Sequence, residues 1–273
     1  MIFPDLSLEG WQGTRDTLWG YARVLAAIRR DTAAPDPFWW HVTLHGSPTG
    51  LTTTEVPFGG SSFELGLDLM SQRAFLNRDA AECRSWPLTG QTPDHFFDQM
   101  IEALKSCGIE LSTARPDMPG SSLGEWDEAA VDRFRQALAR IDSVFQEFRH
   151  DLDGKTSPVQ LFGHHFDLSL SWFSGRSVED KDPADPESAT EQMTFGFSTG
   201  DENFAEPYFY ATAYPEPEGF VGSPLPDPAF WNNQGFSGAV LLYSVLRESG
   251  SPTELLGSFL RAAHRAGADL MVS

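Results

Sequence analysis

The chain has 273 residues, of which 19 are lysine or arginine and 39 are aspartate or glutamate, so its formal net charge is −20 with neutral histidines. Such an acidic chain argues against binding to nucleic acid or to an anionic membrane, because phosphate groups are bound by basic faces. The length allows one or two domains with a sizeable core, and an aromatic content of 12% is too high for a disordered acidic segment.

No secretory signal, membrane span or common enzyme motif is visible in the sequence. The first residues lack a basic segment followed by an apolar one, and the apolar run from Ala239 to Leu246 is about half the roughly 20 residues that a membrane span needs. Glycine-rich nucleotide loops and the usual hydrolase motifs do not occur. Cys83 and Cys107 are too few for a disulfide scaffold. We therefore expect a cytoplasmic protein with two reduced thiols.

The pattern of residues in the first half of the chain predicts a helix, a meander of strands and a second helix. Apolar residues at helical spacing predict a helix over 11–31. Between 38 and 79 the period changes to two, which predicts an antiparallel meander with one apolar face. Thr92 and Pro93 are typical of a helix start, and Gly108 of the residue after its end.

The second half repeats this order after a connector at 112–126 that is rich in helix-breaking residues. A helix is predicted over 127–150, and a capping box at Ser251-Pro252-Thr253-Glu254 begins a final helix that runs to about 267. An acidic loop at 179–191 separates the predicted strands. These strands cover 159–173 with an irregularity near Gly163, 195–197, 208–214 and 236–242.

The fold class predicted from these elements is α+β, with antiparallel β-sheet packed against four to five helices. We expect a single compact domain over residues 1–273. Because residues 9–109 and 127–270 show the same order of elements, the two halves are candidates for a pseudo-duplicated unit.

Polar side chains share one face on three of the predicted strands. His41, Thr43 and His45 alternate with apolar residues in one strand, and His165 and Asp167 do so in a second, where His164 would point to the apolar side. Tyr208 and Tyr210 share a face of a third strand. Such residues are less typical of a merely solvated face than lysine and glutamate, so they predict a polar, partly enclosed cavity that binds a small molecule.

One hypothesis is that this cavity binds a divalent metal ion. Residues two apart on a strand project together at about 6.6 Å, so His165 and Asp167, with His41 or His45 from a neighbouring strand, would form the two-histidine, one-carboxylate set used by non-haem iron and suited to zinc. His41 and His45 alone are roughly 13 Å apart on a regular strand and do not chelate one ion. Ordinary histidines without an ion are the alternative.

A metal-free acid–base site is the second enzymatic hypothesis. Asp167 would orient the imidazole of His165 or His41, and no serine or cysteine is marked as a nucleophile. Arg176 would bind a substrate carboxylate or phosphate, or else pair with the acidic loop that follows it. Glu206, with Tyr208 and Tyr210, would add ligand contacts.

Two functions therefore remain open. The first is a small-molecule-binding protein or enzyme, with His41, His165 and Asp167 as candidate catalytic residues. The second is a non-catalytic protein-interaction module built on exposed aromatic residues. The sequence identifies neither the substrate nor the reaction, and it leaves the oligomeric state open.

Four segments in order resemble a bacterial family, domain-of-unknown-function family 5996. They are Trp39 to Leu44 continued by Gly50 to Thr53; Ser157-Pro158-Val159; Phe166-Asp167-Leu168 continued by Phe173 to Arg176; and Tyr208 to Gly219. The resemblance spans about residues 11–265 and implies a soluble bacterial protein without an assigned activity.

This chain departs from the family pattern at several histidines. Gln160 stands where the family has a histidine, and His45, His164 and His165 stand where it typically does not. The resemblance thus implies that a site using these three histidines would be a specialisation of this protein. The residues expected to be common to the family are His41, Asp167, Arg176, Glu206 and Tyr210.

Overall fold

The computed structural model describes residues 3–117, 124–201 and 204–271. The chain forms two compact units. The N-terminal unit comprises Glu9–Ala139 and Leu161–Phe166, and the C-terminal unit comprises Met1–Leu8, Arg140–Gln160 and Asp167–Ser273.

Four long helices and two short ones occur in the described ranges. They are α1 (Gln12–Thr32), α2 (Pro93–Ser106), α3 (Glu128–His150), α4 (Pro186–Ala189), α5 (Tyr243–Glu248) and α6 (Pro252–Met271). The four long helices confirm the four predicted ones. The Thr92 hydroxyl accepts a hydrogen bond from the His95 backbone N–H at 3.3 Å, as expected of an N-cap. None of these described helices is long and apolar enough to span a bilayer.

Thirteen strands, all in antiparallel pairs, occupy much of the rest of the described chain. They are β1 (Thr43–Gly46), β2 (Gly50–Thr52), β3 (Val56–Phe58), β4 (Ser61–Asp68), β5 (Arg73–Arg78), β6 (Ala81–Pro87), β7 (Lys155–Thr156), β8 (Gln160–Phe162), β9 (Asp167–Ser177), β10 (Thr190–Ser198), β11 (Tyr208–Tyr214), β12 (Phe230–Asn232) and β13 (Gly238–Leu242). Helices and antiparallel strands together confirm the α+β class.

In the N-terminal unit the strand order is β8–β1–β2–β4–β5–β6, with β3 beside β4. Helix α1 packs against β1, β3 and α2. Its buried face carries Leu18, Tyr21, Leu25 and Ile28, and the Tyr21 ring stacks on Phe96 of α2 with the centroids 4.2 Å apart. The predicted apolar stripe of the first helix is therefore the face that forms this core.

In the C-terminal unit the strand order is β12–β13–β11–β10–β9, with β7 beside β9. Helix α6 packs on β10 and β11, and α5 packs on β13 and β11. Phe197, Phe209 and Leu241 lie opposite one another in register on neighbouring strands, and all three are buried. Because side chains alternate along a strand, the tyrosines of β11 emerge on the opposite face.

Residues 39–42 do not form the predicted strand. Trp39 has a left-handed φ of 61°, Trp40–Val42 is a 3₁₀ turn, and β1 begins only at Thr43. The Asp36 backbone N–H donates to His41 Nδ1 at 3.0 Å, and the Asp36 carboxylate accepts from the Phe38 N–H at 2.8 Å. These local side-chain bonds stabilise a turn in place of a strand ladder. His41 therefore does not alternate with His45 on one strand.

The predicted strand over 159–173 is interrupted between β8 and β9. Residues Gly163 to Phe166 form a turn in which the Phe166 N–H donates to the Phe162 carbonyl at 2.8 Å. The irregularity expected near Gly163 is confirmed, but it extends over four residues. His165 lies in this turn, so the prediction that it shares a strand face with Asp167 is wrong. His164 is exposed, so the prediction that it points to an apolar face is wrong.

The prediction of two reduced thiols is also wrong, because Cys83 and Cys107 form a disulfide. Cys83 lies on β6, and Cys107 is the C-cap residue of α2. The sequence does not predict β6, because most of its residues are exposed and it has no period-two apolar pattern. Because β6 is not predicted, the sequence does not indicate that Cys83 lies close to Cys107 at the end of α2.

Candidate functional site

Two tyrosine–aspartate hydrogen bonds lie on one side of β11. Tyr208 and Tyr210 are two residues apart, so their side chains leave the strand on the same side. Tyr210 Oη donates to Asp167 Oδ2 at 2.5 Å, and Tyr208 Oη donates to Asp201 Oδ2 at 2.5 Å. Asp167 begins β9, and Asp201 follows β10. We call these four residues the tyrosine–aspartate face.

A glycine on the intervening strand lets Tyr210 reach Asp167. Tyr210 is opposite Gly196 in the β10–β11 pair, and Gly196 is opposite Ser169 in the β9–β10 pair. A Cβ at Gly196 would overlap the ring carbons and the hydroxyl of Tyr210. The ring therefore lies across the backbone of β10, and its hydroxyl meets a carboxylate two strands from its own.

Aromatic rings flank the two tyrosines. Phe236 stacks on Tyr208 with the centroids 6.2 Å apart and meets Tyr210 edge-on at 6.3 Å, while Phe204 lies 4.8 Å from Tyr208. Phe204 also contacts Phe230, which is 39% exposed. The tyrosine–aspartate face thus has an aromatic border that extends to the surface of the C-terminal unit.

Both phenols act as hydrogen-bond donors near neutral pH. Burial raises the pKa of Tyr208, and the hydrogen bond and charge of Asp201 raise it further. Burial is also the main reason that the pKa of Tyr210 is raised, followed by the charge and hydrogen bond of Asp167. A phenol held protonated in this way is poorly matched to proton transfer at pH 7. The arrangement favours recognition of a ligand over acid–base chemistry by these tyrosines.

The histidines predicted for the site belong to the N-terminal unit. His41 is buried, its Nδ1 accepts the Asp36 hydrogen bond, and its ring stacks on exposed Trp39 at 5.6 Å. His45 is a half-buried residue of β1, opposite Thr52. His165 is exposed in the turn before β9. Asp167, in contrast, belongs to the C-terminal unit.

Arg176 and Glu206 have structural partners. The Arg176 guanidinium donates to the carbonyl of Met271 at the end of α6, where a positive charge is favourable. Glu206 Oε2 accepts from the Ser244 hydroxyl at 2.5 Å. Neither contact involves the tyrosine–aspartate face, although Glu206 lies only two residues before Tyr208.

The sequence also predicts a metal centre formed by His165 and Asp167 with His41 or His45. In the described ranges, no three side chains of histidine, cysteine, aspartate or glutamate are grouped so that they could hold a metal ion. His41, His45, His165 and Asp167 therefore do not form such a group there. The tyrosine–aspartate face contains two of these side chains, Asp167 and Asp201.

Sequence reasoning missed three features of the face. Asp201 lies in a loop, so no strand alternation assigns it to a side. Gly196 lies within the predicted strand over 195–197, and an isolated glycine in a strand is the one signal in the sequence for the close approach of another group. Phe204 lies in a loop without a periodic pattern, and Phe236 lies in a loop although the predicted strand over 236–242 begins with it. Only the three-dimensional structure brings both rings to Tyr208.

Comparison with known proteins identifies the family but not an activity. The profile of a family of unknown function, DUF5996, matches residues 3–272. No curated protein and no solved structure matches the chain. The resemblance of the four ordered segments is thereby confirmed over nearly the whole length, and the chain belongs to the DUF5996 family.

Proposed function

We propose that the protein binds a small organic cation at the tyrosine–aspartate face. The observation that carries this proposal is the pair of 2.5 Å hydrogen bonds through which Tyr208 and Tyr210 each donate to a different aspartate. A phenol donor is neutral, so it orients a carboxylate without cancelling its charge. The face consequently combines two fixed acidic groups with the π-surfaces of aromatic rings.

The chemistry of this combination matches an amine-bearing ligand. An ammonium group is attracted electrostatically to a carboxylate and to the face of an aromatic ring, and the second attraction is worth about 0.5–2 kcal/mol. Phe204 and Phe236 are only partly buried beside the tyrosines, and Asp201 is exposed. A ligand approaching from solvent would therefore meet both charge and aromatic surface. The chain's net charge of −20 would also attract cations over a longer range.

The proposal concerns binding, and it assigns no proton-transfer role to the two tyrosines. The raised pKa values of both tyrosines favour their role as neutral donors. A protein-interaction role is the competing function, and exposed Phe230 would then be a contact residue for a protein partner.

A ligand panel matched for size tests the proposed cation binding. Melting temperature would be measured with butylammonium, 1,4-butanediammonium and tetramethylammonium, and with butanol and 1,4-butanediol as uncharged counterparts at equal ionic strength. A ligand that binds only the folded state raises its stability by RT ln(1 + [L]/Kd). We expect at least one cation, and neither alcohol, to raise the melting temperature in a saturable way. Equal shifts with cations and alcohols, or none at all, would overturn the proposal.

A further inference from the structure

A second candidate site lies in the N-terminal unit, where the turn between β8 and β9 packs on α1. The Trp19 indole N–H donates to the Gly163 carbonyl at 3.0 Å. A Cβ at Gly163 would lie 2.8 Å from both the Ala22 carbonyl oxygen and the Ala26 side chain. Residues 19, 22, 23 and 26 share one face of a helix. Arg23 therefore lies on the face of α1 that holds the turn.

The end of the turn is anchored by an aromatic stack. Phe166 is buried although its φ is +56°, a left-handed conformation that is unfavourable for a residue with a side chain. Its ring stacks on Phe134 at 5.3 Å, and Phe134 stacks on Trp11 at 5.4 Å. Burial of the Phe166 ring offsets this unfavourable backbone conformation. The turn is thus fixed at both ends.

This fixed turn presents two adjacent imidazoles, and Arg23 lies on the helix face against which the turn packs. The ring centroids of His164 and His165 are 4.2 Å apart, and both side chains are exposed. The pKa of His164 is lowered to about 4, first because the surrounding protein limits hydration of the charged ring, and then because His165 and Arg23 repel a positive charge there. The second of these causes indicates that the charges of His165 and Arg23 act on the His164 ring.

No acidic partner in the described ranges neutralises this cluster by direct contact. Arg23, His164 and His165 form no ion pair within 4.0 Å and no side-chain hydrogen bond to described residues. Asp117 acts on Arg23 through its charge without forming such a pair. The chain has 39 acidic residues, and none of those in the described ranges forms an ion pair with these three side chains. Grouped donors of this kind suit an anionic ligand.

We propose that Arg23, His164 and His165 form a binding site for the phosphoryl group of a small compound. A guanidinium presents two parallel N–H donors that match two oxygens of one tetrahedral oxyanion. The imidazole N–H groups of the paired histidines supply donors to its remaining oxygens. The net charge of −20 disfavours a polyanion such as nucleic acid, so the phosphoryl group belongs to a small molecule.

The test is a titration of the full chain with inorganic phosphate at pH 7, with chloride keeping the ionic strength constant. Histidine ring signals would be followed by two-dimensional NMR. We expect the His164 and His165 signals to shift saturably. Loss of a charge-assisted hydrogen bond costs about 1.5–3 kcal/mol, so Arg23→Gln and His165→Gln should each weaken binding about tenfold or more.

Matched variants at exposed positions of the C-terminal unit are the controls. Arg265→Gln and His150→Gln should leave phosphate affinity within about twofold of the wild type, because both side chains are exposed outside the proposed site. The melting temperature of every variant verifies that it is folded. The proposal is overturned if the His164 and His165 signals do not saturate, or if Arg23→Gln and Arg265→Gln have the same effect. Neither result would bear on the cation site of the other unit.

Discussion

Tyr210 hydrogen-bonds Asp167 across an intervening strand, and the distance from Oη to Oδ2 is 2.5 Å. The strand between them contributes Gly196, whose missing side chain leaves the space that the tyrosine ring fills. A single glycine thus determines which carboxylate the phenol can reach. The geometry of the candidate site is therefore set by a residue without any functional group.

Substituting Gly196 with alanine should destabilise the protein through the Tyr210 ring. The added methyl group overlaps the ring, and overpacking of this kind typically costs about 1–3 kcal/mol in the free energy of unfolding. The double variant Gly196→Ala/Tyr210→Ala should show a smaller cost of the glycine substitution than the wild-type background does. Urea denaturation of the four proteins of this cycle measures the difference.

Gly250→Ala is the control for this cycle, because no atom outside its chain neighbours lies within 4 Å of the Cβ it would gain. This variant should change stability by less than about 1 kcal/mol. An equal cost of Gly196→Ala with and without the Tyr210 ring would contradict the account of how the ring is positioned.

Tyr210→Phe should weaken the dependence of stability on alkaline pH. The folded-state pKa of Tyr210 is raised above the unfolded value of about 10, so its contribution is fully present below pH 10 and is lost as the pH rises towards the folded value. We expect the free energy of unfolding to fall between about pH 9 and 11 in the wild type, and to fall less in the variant. At pH 7 the variant should be less stable by about 1–3 kcal/mol, the worth of a hydrogen bond to a charged group. A pH profile identical to that of the wild type would argue against the role of the phenol.

His264 should make the C-terminal unit sensitive to mild acid. Its ring meets Trp172 edge-on at 4.7 Å, and its Nε2 is buried without a hydrogen-bond partner among the described residues. Burial lowers its pKa, against a smaller opposing effect of Asp269. The contribution of the neutral ring is thus present above the unfolded pKa of about 6.5 and is lost as the pH falls below it.

The substitution His264→Phe keeps an aromatic ring in this position and removes the titration. Stability should then fall less between about pH 7 and 5 than in the wild type, by at most about 1.4 kcal/mol for each pH unit. Chemical denaturation at both pH values provides the comparison. If the variant kept the full acid sensitivity of the wild type, another group would have to be responsible.

The disulfide between Cys83 and Cys107 should contribute measurably to stability. The two cysteines are 24 residues apart in the sequence, and a loop of this length predicts a stabilisation of about 3 kcal/mol. A reductant should lower the unfolding free energy of the wild type by about 2–4 kcal/mol and have no effect on the Cys83→Ser/Cys107→Ser variant. A thiol assay on the native oxidised protein that detects two reactive groups would contradict this bond.

The sequence predicted those elements whose stability comes from local pattern. The apolar stripes of α1, α2, α3 and α6 repeat at helical spacing, and β11 alternates over its whole length. The alternation of β11 also predicted that Tyr208 and Tyr210 lie on one side of the strand. In both cases the buried face of an element is encoded in consecutive residues.

The remaining features depend on contacts between residues far apart in the chain or on local bonds that compete with the pattern. Hydrogen bonds of Asp36 override the alternation that predicted a strand at His41. Phe166 adopts a left-handed φ because a distant ring, Phe134, buries its side chain. Asp201 joins the candidate site through a bond to Tyr208 that no periodicity indicates. Asp36 and Asp201 lie outside any apolar periodicity, and the patterns that include Phe134 and Phe166 do not indicate that these two rings meet.

The most direct test of the proposed cation site is a calorimetric titration with butylammonium, comparing the wild type with Asp167→Asn and Asp201→Asn. Asparagine keeps an oxygen that accepts the tyrosine hydrogen bond but removes the charge. Glu248→Gln, at an exposed carboxylate of the same unit, is the matched control. We predict saturable binding to the wild type and to Glu248→Gln, and affinity lower by about tenfold or more in at least one asparagine variant. Binding of equal strength to Asp167→Asn, Asp201→Asn and the wild type would contradict the account.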